Sequence, residues 1–294
     1  MDLNFLDKVK KTAIIALISD DELMDRLVLK GGNAINIIYH LSSRASIDLD
    51  FSIQDDFKED ELNIIKVKIK ELLKDGFKKE GFILFDYKFQ QRPEKLDETV
   101  KSFWGGYEIE FKLLAEIEYD KRKDNIDALR RNAIPLGKNL STRYSIEISK
   151  FEFCSSKQRM DLEGYTIYVY TPEMIIIEKL RAICQQVEDY KSIIKTISRK
   201  SRARDFFDIY ILSDYSKINL TSEDNLDLLK AIFDSKKVPY HYLKKIKDTK
   251  ELHRAEYPSL IDTVTYKEGL KDFEFYFEYT VELAEKILES LGIK

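Results

Sequence analysis

Residues 27–53 (LVLKGGNAINIIYHLSSRASIDLDFSI) constrain the fold most, because they join two strand-like segments through a glycine pair, an amphipathic helix and a polar loop. The last segment, residues 47–53, alternates strictly between apolar and polar side chains. This period of two predicts a strand with Ile47, Leu49, Phe51 and Ile53 on one face and Asp48, Asp50 and Ser52 on the other. The two carboxylates then project side by side, about 6–7 Å apart between Cα atoms. Such a pair can share one or two divalent cations.

A glycine pair, Gly31 and Gly32, follows Lys30 where the first strand ends and the helix begins. Glycine lets a phosphate approach the backbone N–H groups at the positive end of a helix. Arg44 and Ser46 come just before the acidic strand. A phosphate cradle beside a metal-binding acid pair is what nucleotidyl transfer requires. The alternative interpretation is an edge strand with a solvated acidic face.

A two-carboxylate strand usually recruits a third acid from a neighbouring strand. Glu147, flanked by Ile146 and Ile148, is our choice for that position. Glu108 and Glu110 alternate in the same way and compete with it. Residue types alone do not rank the three.

A helix is predicted to begin at Thr171 and Pro172, with threonine as the N-cap and proline at the first helical position. Lys179 lies at the edge of its apolar stripe, where it can reach water or enter a cleft as a point charge for a triphosphate. Arg181 lies on another side and is expected at the surface.

The segment RARDFFDIYIL, residues 202–212, predicts a helix that is apolar nearly all round. Its acids Asp205 and Asp208 should therefore be at least partly buried, and buried carboxylates need partners. Lys179, Arg202 or Arg44 could pair with them, or a bound nucleotide and metal could do so.

Composition excludes several classes of protein. The net charge of −4 gives no global nucleic-acid signature, so any such contact needs a local patch. No segment approaches the length of about 18 apolar residues that a membrane span needs, and the start lacks a signal-peptide core, so we expect a cytoplasmic protein. Two cysteines and three scattered histidines argue against a zinc site.

The pattern along the chain predicts an α+β fold, a mixed sheet flanked by helices with a mainly helical C-terminal half. We expect an α/β domain over residues 1–170 and a helical domain over residues 171–294 that completes the active-site cleft. Predicted strands span residues 82–89, 107–114, 144–153 and 165–170, and predicted helices span residues 5–18, 59–74 and 120–132.

Four motifs in the order KGGNAI, RASIDLDF, TPEMIIIEKLRAI and RARDFFDIYIL resemble the AbiEii-type nucleotidyltransferase toxin family, within the DNA polymerase β-like nucleotidyltransferase superfamily. The resemblance spans about residues 26–212. Superfamily members often carry Gly-Ser directly before the acidic strand, whereas here the glycines precede the helix and the serine follows it.

The resemblance implies roles for matching positions. It assigns nucleotide binding to Gly31, Gly32, Ser46 and Lys179, catalysis to Asp48, Asp50, Lys179 and Asp205, and metal binding to Asp48 and Asp50. The family's third carboxylate is less regular, so Glu147 is added to the metal ligands from the strand pattern alone. Lys30, Arg44 and Asp208 are added to the nucleotide-binding residues from their positions in the motifs. The implied reaction is transfer of a nucleotide from a nucleoside triphosphate to an acceptor such as tRNA, with Mg²⁺ or Mn²⁺ as cofactor and pyrophosphate released. The implied context is a type IV toxin–antitoxin or phage abortive-infection system with a protein antitoxin. A tRNA acceptor would need a basic surface, for which residues 121–123, 130–131 and 199–204 are candidates.

Two other functions fit the same residues. A metal-dependent nuclease or phosphodiesterase could use the same acids, although no histidine lies near them in sequence to serve as a base. A non-catalytic nucleotide-binding protein would bind a triphosphate without turnover. The intact Asp-x-Asp pair favours catalysis.

Overall fold

In the computed structural model, which describes residues 3–41, 48–136, 141–264 and 269–293, the alternating segments form one seven-stranded sheet. The strands are β1 (Val28–Leu29), β2 (Leu49–Ser52), β3 (Phe82–Arg92), β4 (Gly106–Ala115), β5 (Tyr144–Ser149), β6 (Gln158–Leu162) and β7 (Tyr165–Val169). Their order across the sheet is β3-β4-β5-β2-β1-β7-β6. The pairs β2–β5 and β1–β7 are parallel and the others antiparallel, so the sheet is mixed, as predicted.

The helices divide between two units of the chain. In the first unit they are α1 (Leu3–Ile18), α2 (Asp21–Arg26), α3 (Gly31–Asn33), α4 (Glu59–Lys79), α5 (Glu116–Asp120) and α6 (Ile126–Asn132). In the second they are α7 (Pro172–Cys184), α8 (Ala203–Ser216), α9 (Glu223–Asp234), α10 (Lys250–Arg254), α11 (Tyr257–Thr263) and α12 (Phe273–Ser290). Two 3₁₀ helices, Glu188–Ser192 and Tyr240–Thr249, also belong to the second unit, whereas α3 continues as the π-helix Ala34–Ile38 in the first.

Each unit is assembled from more than one segment. The first takes in the described residues of Met1–Ile38, Ser46–Asp97 and Gly105–Val169, and it contains the whole sheet. The second takes in those of Tyr39–Ala45, Glu98–Trp104 and Tyr170–Lys294. The α+β class with a mixed sheet and flanking helices is confirmed. In the described parts of the chain, none of the helices combines the length and apolarity needed to cross a membrane.

Several predicted elements differ in extent from those observed. Residues 120–132 were expected to form one helix, but α5 ends at Asp120 and α6 starts afresh at Ile126. The break is local, because the side chain of Asn125 accepts a hydrogen bond from the N–H of Ala128 and so caps a new helix. The expectation of a strand reaching residue 153 is also wrong: β5 ends at Ser149, and Phe151 adopts a positive φ of 59°.

One strand, β6, has no counterpart in the sequence analysis. Its residues are mostly exposed, so the alternation of apolar and polar side chains that predicts a half-buried strand is missing. It forms because it pairs with β7 along its whole length. The helix predicted to end at residue 74 continues to Lys79, where Phe77 is still buried.

The predicted N-terminus of α7 is confirmed. The side chain of Thr171 accepts a hydrogen bond from the N–H of Met174 at 3.3 Å, and Pro172 opens the helix. Arg181 was expected at the surface but is only 3% exposed, because α7 is covered on nearly every side by the second unit. Both cysteines, Cys154 and Cys184, are buried.

Candidate active site

The acidic strand β2 is fastened to the turn that opens α3. The backbone N–H of Lys30 donates to the carbonyl of Asp50 at 2.9 Å, and the side-chain amide of Asn33 donates to the carbonyl of Asp48. Gly31 has a φ of +65°, and a Cβ placed on it would lie 2.9 Å from Oδ2 of Asp50. Glycine is therefore favoured at position 31 both by the backbone conformation and by the approach of the carboxylate.

The alternation predicted for the acidic strand is observed within the described residues. Leu49, Phe51 and Ile53 are buried, whereas Asp48 is exposed and Asp50 is partly exposed. Two details differ from the prediction: Ser52 is buried, and Asp48 comes just before the first residue of β2. Ile47 lies outside the described residues.

The sheet aligns three acids across neighbouring strands. Asp50 of β2 stands opposite Glu147 of the parallel strand β5, and Glu147 stands opposite Glu108 of the antiparallel strand β4. Residues that face each other in register project to the same side of a sheet. Glu147 is exposed, so the acid directly beside Asp50 is also accessible.

Glu108 is engaged by its neighbours on β3. Oε2 of Glu108 accepts hydrogen bonds from Gln90 at 2.5 Å and from Nε of Arg92 at 2.6 Å. Partial burial of the Glu108 carboxyl opposes its ionisation, but these two bonds outweigh that effect and hold its pKa below the ordinary value. Glu108 is thus one strand further from Asp50 than Glu147 and is already paired.

Glu110, the other competitor, stands opposite Ser145 rather than Glu147. Its Oε1 accepts a hydrogen bond from Nη1 of Arg143 at 2.8 Å. The register therefore separates three acids that the sequence left equivalent, and it favours Glu147 as the neighbour of Asp50.

The donor chemistry of Asp48, Asp50 and Glu147 fits Mg²⁺, because magnesium prefers carboxylate and water oxygens. Over residues 3–41, 48–136, 141–264 and 269–293, no three His, Cys, Asp or Glu side chains are gathered closely enough to form a ready metal site. The three residues named for the metal thus fit it by donor chemistry, and Asp50 and Glu147 also project from the same side of the sheet.

Three of the residues predicted to bind the nucleotide, Lys30, Arg44 and Ser46, precede the acidic strand in sequence. Arg44 and Ser46 lie outside the described residues. Lys30 is only 6% exposed, and its Nζ donates to Oγ of Ser149 at 3.2 Å and lies 3.7 Å from Oε1 of Glu152. Its contact with a nucleotide stays a prediction.

In the second unit, Lys179 and the two acids of α8 form a buried ionic cluster. Nζ of Lys179 lies 2.7 Å from Oδ1 of Asp205 and 2.8 Å from Oδ2 of Asp208. Nη1 of Arg202 lies 3.2 Å from the other oxygen of Asp205. The prediction that these carboxylates are at least partly buried is confirmed. Of the partners that the sequence left open, Lys179 and Arg202 are the ones observed.

His253 was missed by the sequence analysis, although it supports this cluster. Its Nδ1 accepts a hydrogen bond from the backbone N–H of Arg202 at 3.0 Å, and its carbonyl accepts one from Oγ of Ser201 at 2.9 Å. The ring packs against Phe206, with centroids 5.0 Å apart. Burial lowers the pKa of His253 to about 4; nearby Asp205 opposes that shift, whereas Arg202 assists it. No local pattern could have found His253, because it is far from α8 in sequence.

Several of the basic residues first considered for RNA binding are paired with acids. Nζ of Lys121 and Nη1 of Arg122 both bind Glu118, at 2.6 Å for the lysine. Nε of Arg130 lies 2.7 Å from Asp86, and the guanidinium of Arg199 lies 2.9 Å from Glu188. These charges are therefore less available to an anionic partner than the sequence suggests.

Comparison with known proteins gives the family. The model of the family described as nucleotidyl transferase AbiEii toxin, type IV toxin–antitoxin system, matches residues 13–279. A candidate nucleotidyltransferase from H. pylori is 19% identical, with 99% of this chain and 96% of that chain covered and a TM-score of 0.49. JHP933 from Helicobacter pylori is 18% identical, with coverages of 97% and 91% and a TM-score of 0.46. No curated protein matches the chain.

The family match includes every element described above as part of the candidate site, from α3 to α8, and also His253. Both TM-scores lie below 0.5, so the assignment rests on the family match alone. The chain is therefore a nucleotidyltransferase and belongs to the AbiEii toxin family of type IV toxin–antitoxin systems.

Proposed function

We propose that this chain transfers a nucleoside monophosphate from a nucleoside triphosphate to an RNA acceptor such as tRNA, in a reaction that depends on Mg²⁺. The observation that carries the proposal is the packing of the Asp50 carboxylate against Gly31 at the start of α3. It brings an acid suited to a hard cation next to a backbone turn that has no side chain to exclude a phosphate.

Within the first unit, we assign Asp48, Asp50 and Glu147 to the metal and the backbone at Gly31 and Gly32 to the phosphates. Bound Mg²⁺ would offset the phosphate charge and lower the pKa of the attacking hydroxyl. The carboxylates hold their positions because β2 is bonded to the residues around Gly31 on one side and to β5 on the other. The acceptor hydroxyl displaces pyrophosphate, so the phosphoanhydride bond breaks as the new ester bond forms.

In the second unit, the assignment of Lys179 to the triphosphate and of Asp205 and Asp208 to the nucleotide pocket stays a prediction. So does the expectation that the helical half completes the cleft. The family implies a cognate antitoxin, which we propose is a protein that neutralises the activity rather than a subunit needed for it.

The test is incubation of the full chain with Mg²⁺ and total tRNA, with each nucleoside triphosphate labelled in turn at the α- and at the γ-phosphate. We expect one α-labelled nucleotide to label RNA and the γ-labelled form to leave it unlabelled, which separates nucleotidyl from phosphoryl transfer. Asp48→Asn should abolish labelling. The matched control is Asp55→Asn, which removes the same charge from an exposed residue of the same unit and should leave labelling intact.

Other outcomes would contradict parts of the proposal. Shortening of RNA without added nucleotide would show a nuclease. Triphosphate binding without labelling of any RNA would show a binding protein or a different acceptor. Full labelling by Asp48→Asn would remove the metal assignment, and labelling that survives chelation of Mg²⁺ would remove the metal dependence.

A further inference from the structure

The 3₁₀ helix Tyr240–Thr249 is ten residues long, whereas such helices seldom run beyond about 3–4 residues. A 3₁₀ helix has three residues per turn, so side chains at i and i+3 lie directly above one another. The segment therefore sorts its side chains into straight rows rather than into the winding stripe of an α-helix.

One row is buried and another faces solvent. Leu243, Ile246 and Thr249 are buried, and the helix packs against α7 and α12. The exposed row consists of His241, Lys244 and Lys247, which we call the lysine ridge. At a rise of about 2.0 Å per residue, its members repeat about every 6 Å.

The two lysines of the ridge differ in their surroundings from two neighbouring lysines, Lys245 and Lys250. Lys245 lies 2.6 Å from Asp189, and Lys250 lies 3.8 Å from Glu278. Among the residues that the structure describes, no acid comes within ion-pair distance of Lys244 or Lys247. Residues 236–250 contain six lysines and a single acid, Asp248, so the ridge is a local positive surface on a chain whose net charge is −4.

We propose that the lysine ridge binds the phosphate backbone of the RNA acceptor, an inference that rests on the function proposed above. A protein with net negative charge repels RNA at long range, so a local row of cations must supply the attraction. Lysine acts as a flexible point charge for phosphate, and Lys244 and Lys247 place two such charges about 6 Å apart along the helix.

The aromatic residues beside the ridge indicate contact with phosphates rather than with bases. Tyr242 is buried, and the hydroxyl of Tyr240 donates to Asp234 at 2.6 Å. The ring of Tyr240 also packs against Phe233, with centroids 6.1 Å apart. Base binding that tolerates any sequence uses exposed aromatic faces, and these two rings are engaged within the protein. The ridge is therefore a sequence-independent contact.

The experiment measures binding of a fluorescein-labelled RNA hairpin to the full chain by anisotropy, without nucleotide, between about 50 and 200 mM salt. The test variant is Lys244→Gln with Lys247→Gln. The matched control is Lys78→Gln with Lys79→Gln, which removes the same charge from two exposed lysines in α4. We expect the test variant to bind the hairpin about tenfold more weakly than wild type. The slope of log K plotted against log salt concentration should become smaller by about 1–2 in the test variant, whereas the control should keep the wild-type slope.

Binding is scored independently of nucleotidyl transfer, so the two proposals can fail separately. If the ridge variant matches the control in affinity and in salt slope, the proposal that the ridge binds RNA is wrong, whether or not the enzyme labels RNA. A wild-type chain that does not bind the hairpin at low salt also overturns it. If the salt slope becomes smaller in the ridge variant alone, the result supports RNA binding by the ridge, even if the chain binds RNA without labelling it.

Discussion

A methyl group on Gly31 would lie 2.9 Å from Oδ2 of Asp50, closer than Cβ atoms come to the atoms of residues that are not their neighbours in the chain. The obstacle is the end of a side chain rather than backbone, so the carboxylate of Asp50 would have to turn aside. Gly31 also adopts a positive φ of 65°, which penalises any residue with a Cβ.

Gly31→Ala should therefore reduce both stability and activity. We expect a loss of about 1–2 kcal/mol in the free energy of unfolding from the backbone conformation, and a much larger relative loss of nucleotidyl transfer from the displaced Asp50. Gly164→Ala is the control, because Gly164 has a φ of +88° with open space around it. Equal activity of the two variants at equal stability would show that the approach to Asp50 does not matter.

Removing the buried ammonium of Lys179 should destabilise the second unit strongly. Lys179→Met leaves Asp205 and Asp208 buried without their shared cation, and the cost of breaking such a pair is about 3–5 kcal/mol. Urea denaturation followed by circular dichroism measures it. Adding Asp205→Asn and Asp208→Asn should restore part of the loss. The control Lys230→Met breaks an exposed pair with Asp227 and should change little, so comparable losses would contradict the buried cluster.

Protonation of His253 should weaken the fold in mild acid. Its pKa is lowered to about 4 from an ordinary value of 6.5, so between these values the unfolded chain binds a proton that the folded chain does not. Above pH 6.5 His253 is neutral in both the folded and the unfolded chain, and the free energy of unfolding keeps its full value. As the pH falls from 6.5 through about 4, the free energy of unfolding should decrease by about 3 kcal/mol in total.

The measurement for His253 is the free energy of unfolding against pH for wild type, His253→Asn and His241→Asn. Asparagine keeps an acceptor for the N–H of Arg202 but does not titrate. The free energy of unfolding of His253→Asn should therefore fall less in acid than that of wild type. His241 is exposed, and its variant should follow wild type. Parallel curves for wild type and His253→Asn would exclude this origin of the acid sensitivity.

The strand register predicts which glutamate assists the acid pair. Glu147→Gln should raise the Mg²⁺ concentration for half-maximal activity by about 10- to 100-fold, because Glu147 stands beside Asp50. Glu108→Gln should have little effect on that concentration, since Glu108 is one strand further away and paired with Arg92. The reverse order of the two effects would assign the third carboxylate to Glu108.

Much of the fold could be predicted where the local pattern of residue types indicates which side chains are buried. Alternation through residues 48–53 identified the buried face of β2, and Thr171 with Pro172 marked the start of α7. The apolar surroundings of Asp205 indicated a buried carboxylate with a basic partner. Strand β6 was missed because an exposed strand shows no such period.

The sequence by itself determined which residues could do the chemistry, because residue type and periodicity are local properties. It placed two acids on one face of a strand and a glycine at the turn before them. Only the tertiary structure decided that Asp50 packs against Gly31, that Glu147 rather than Glu110 lies beside Asp50, and that His253 meets Arg202. Each of these contacts joins segments that are distant in sequence. Which residues come together therefore depends on how the whole core is buried, and the local sequence around each residue does not decide it.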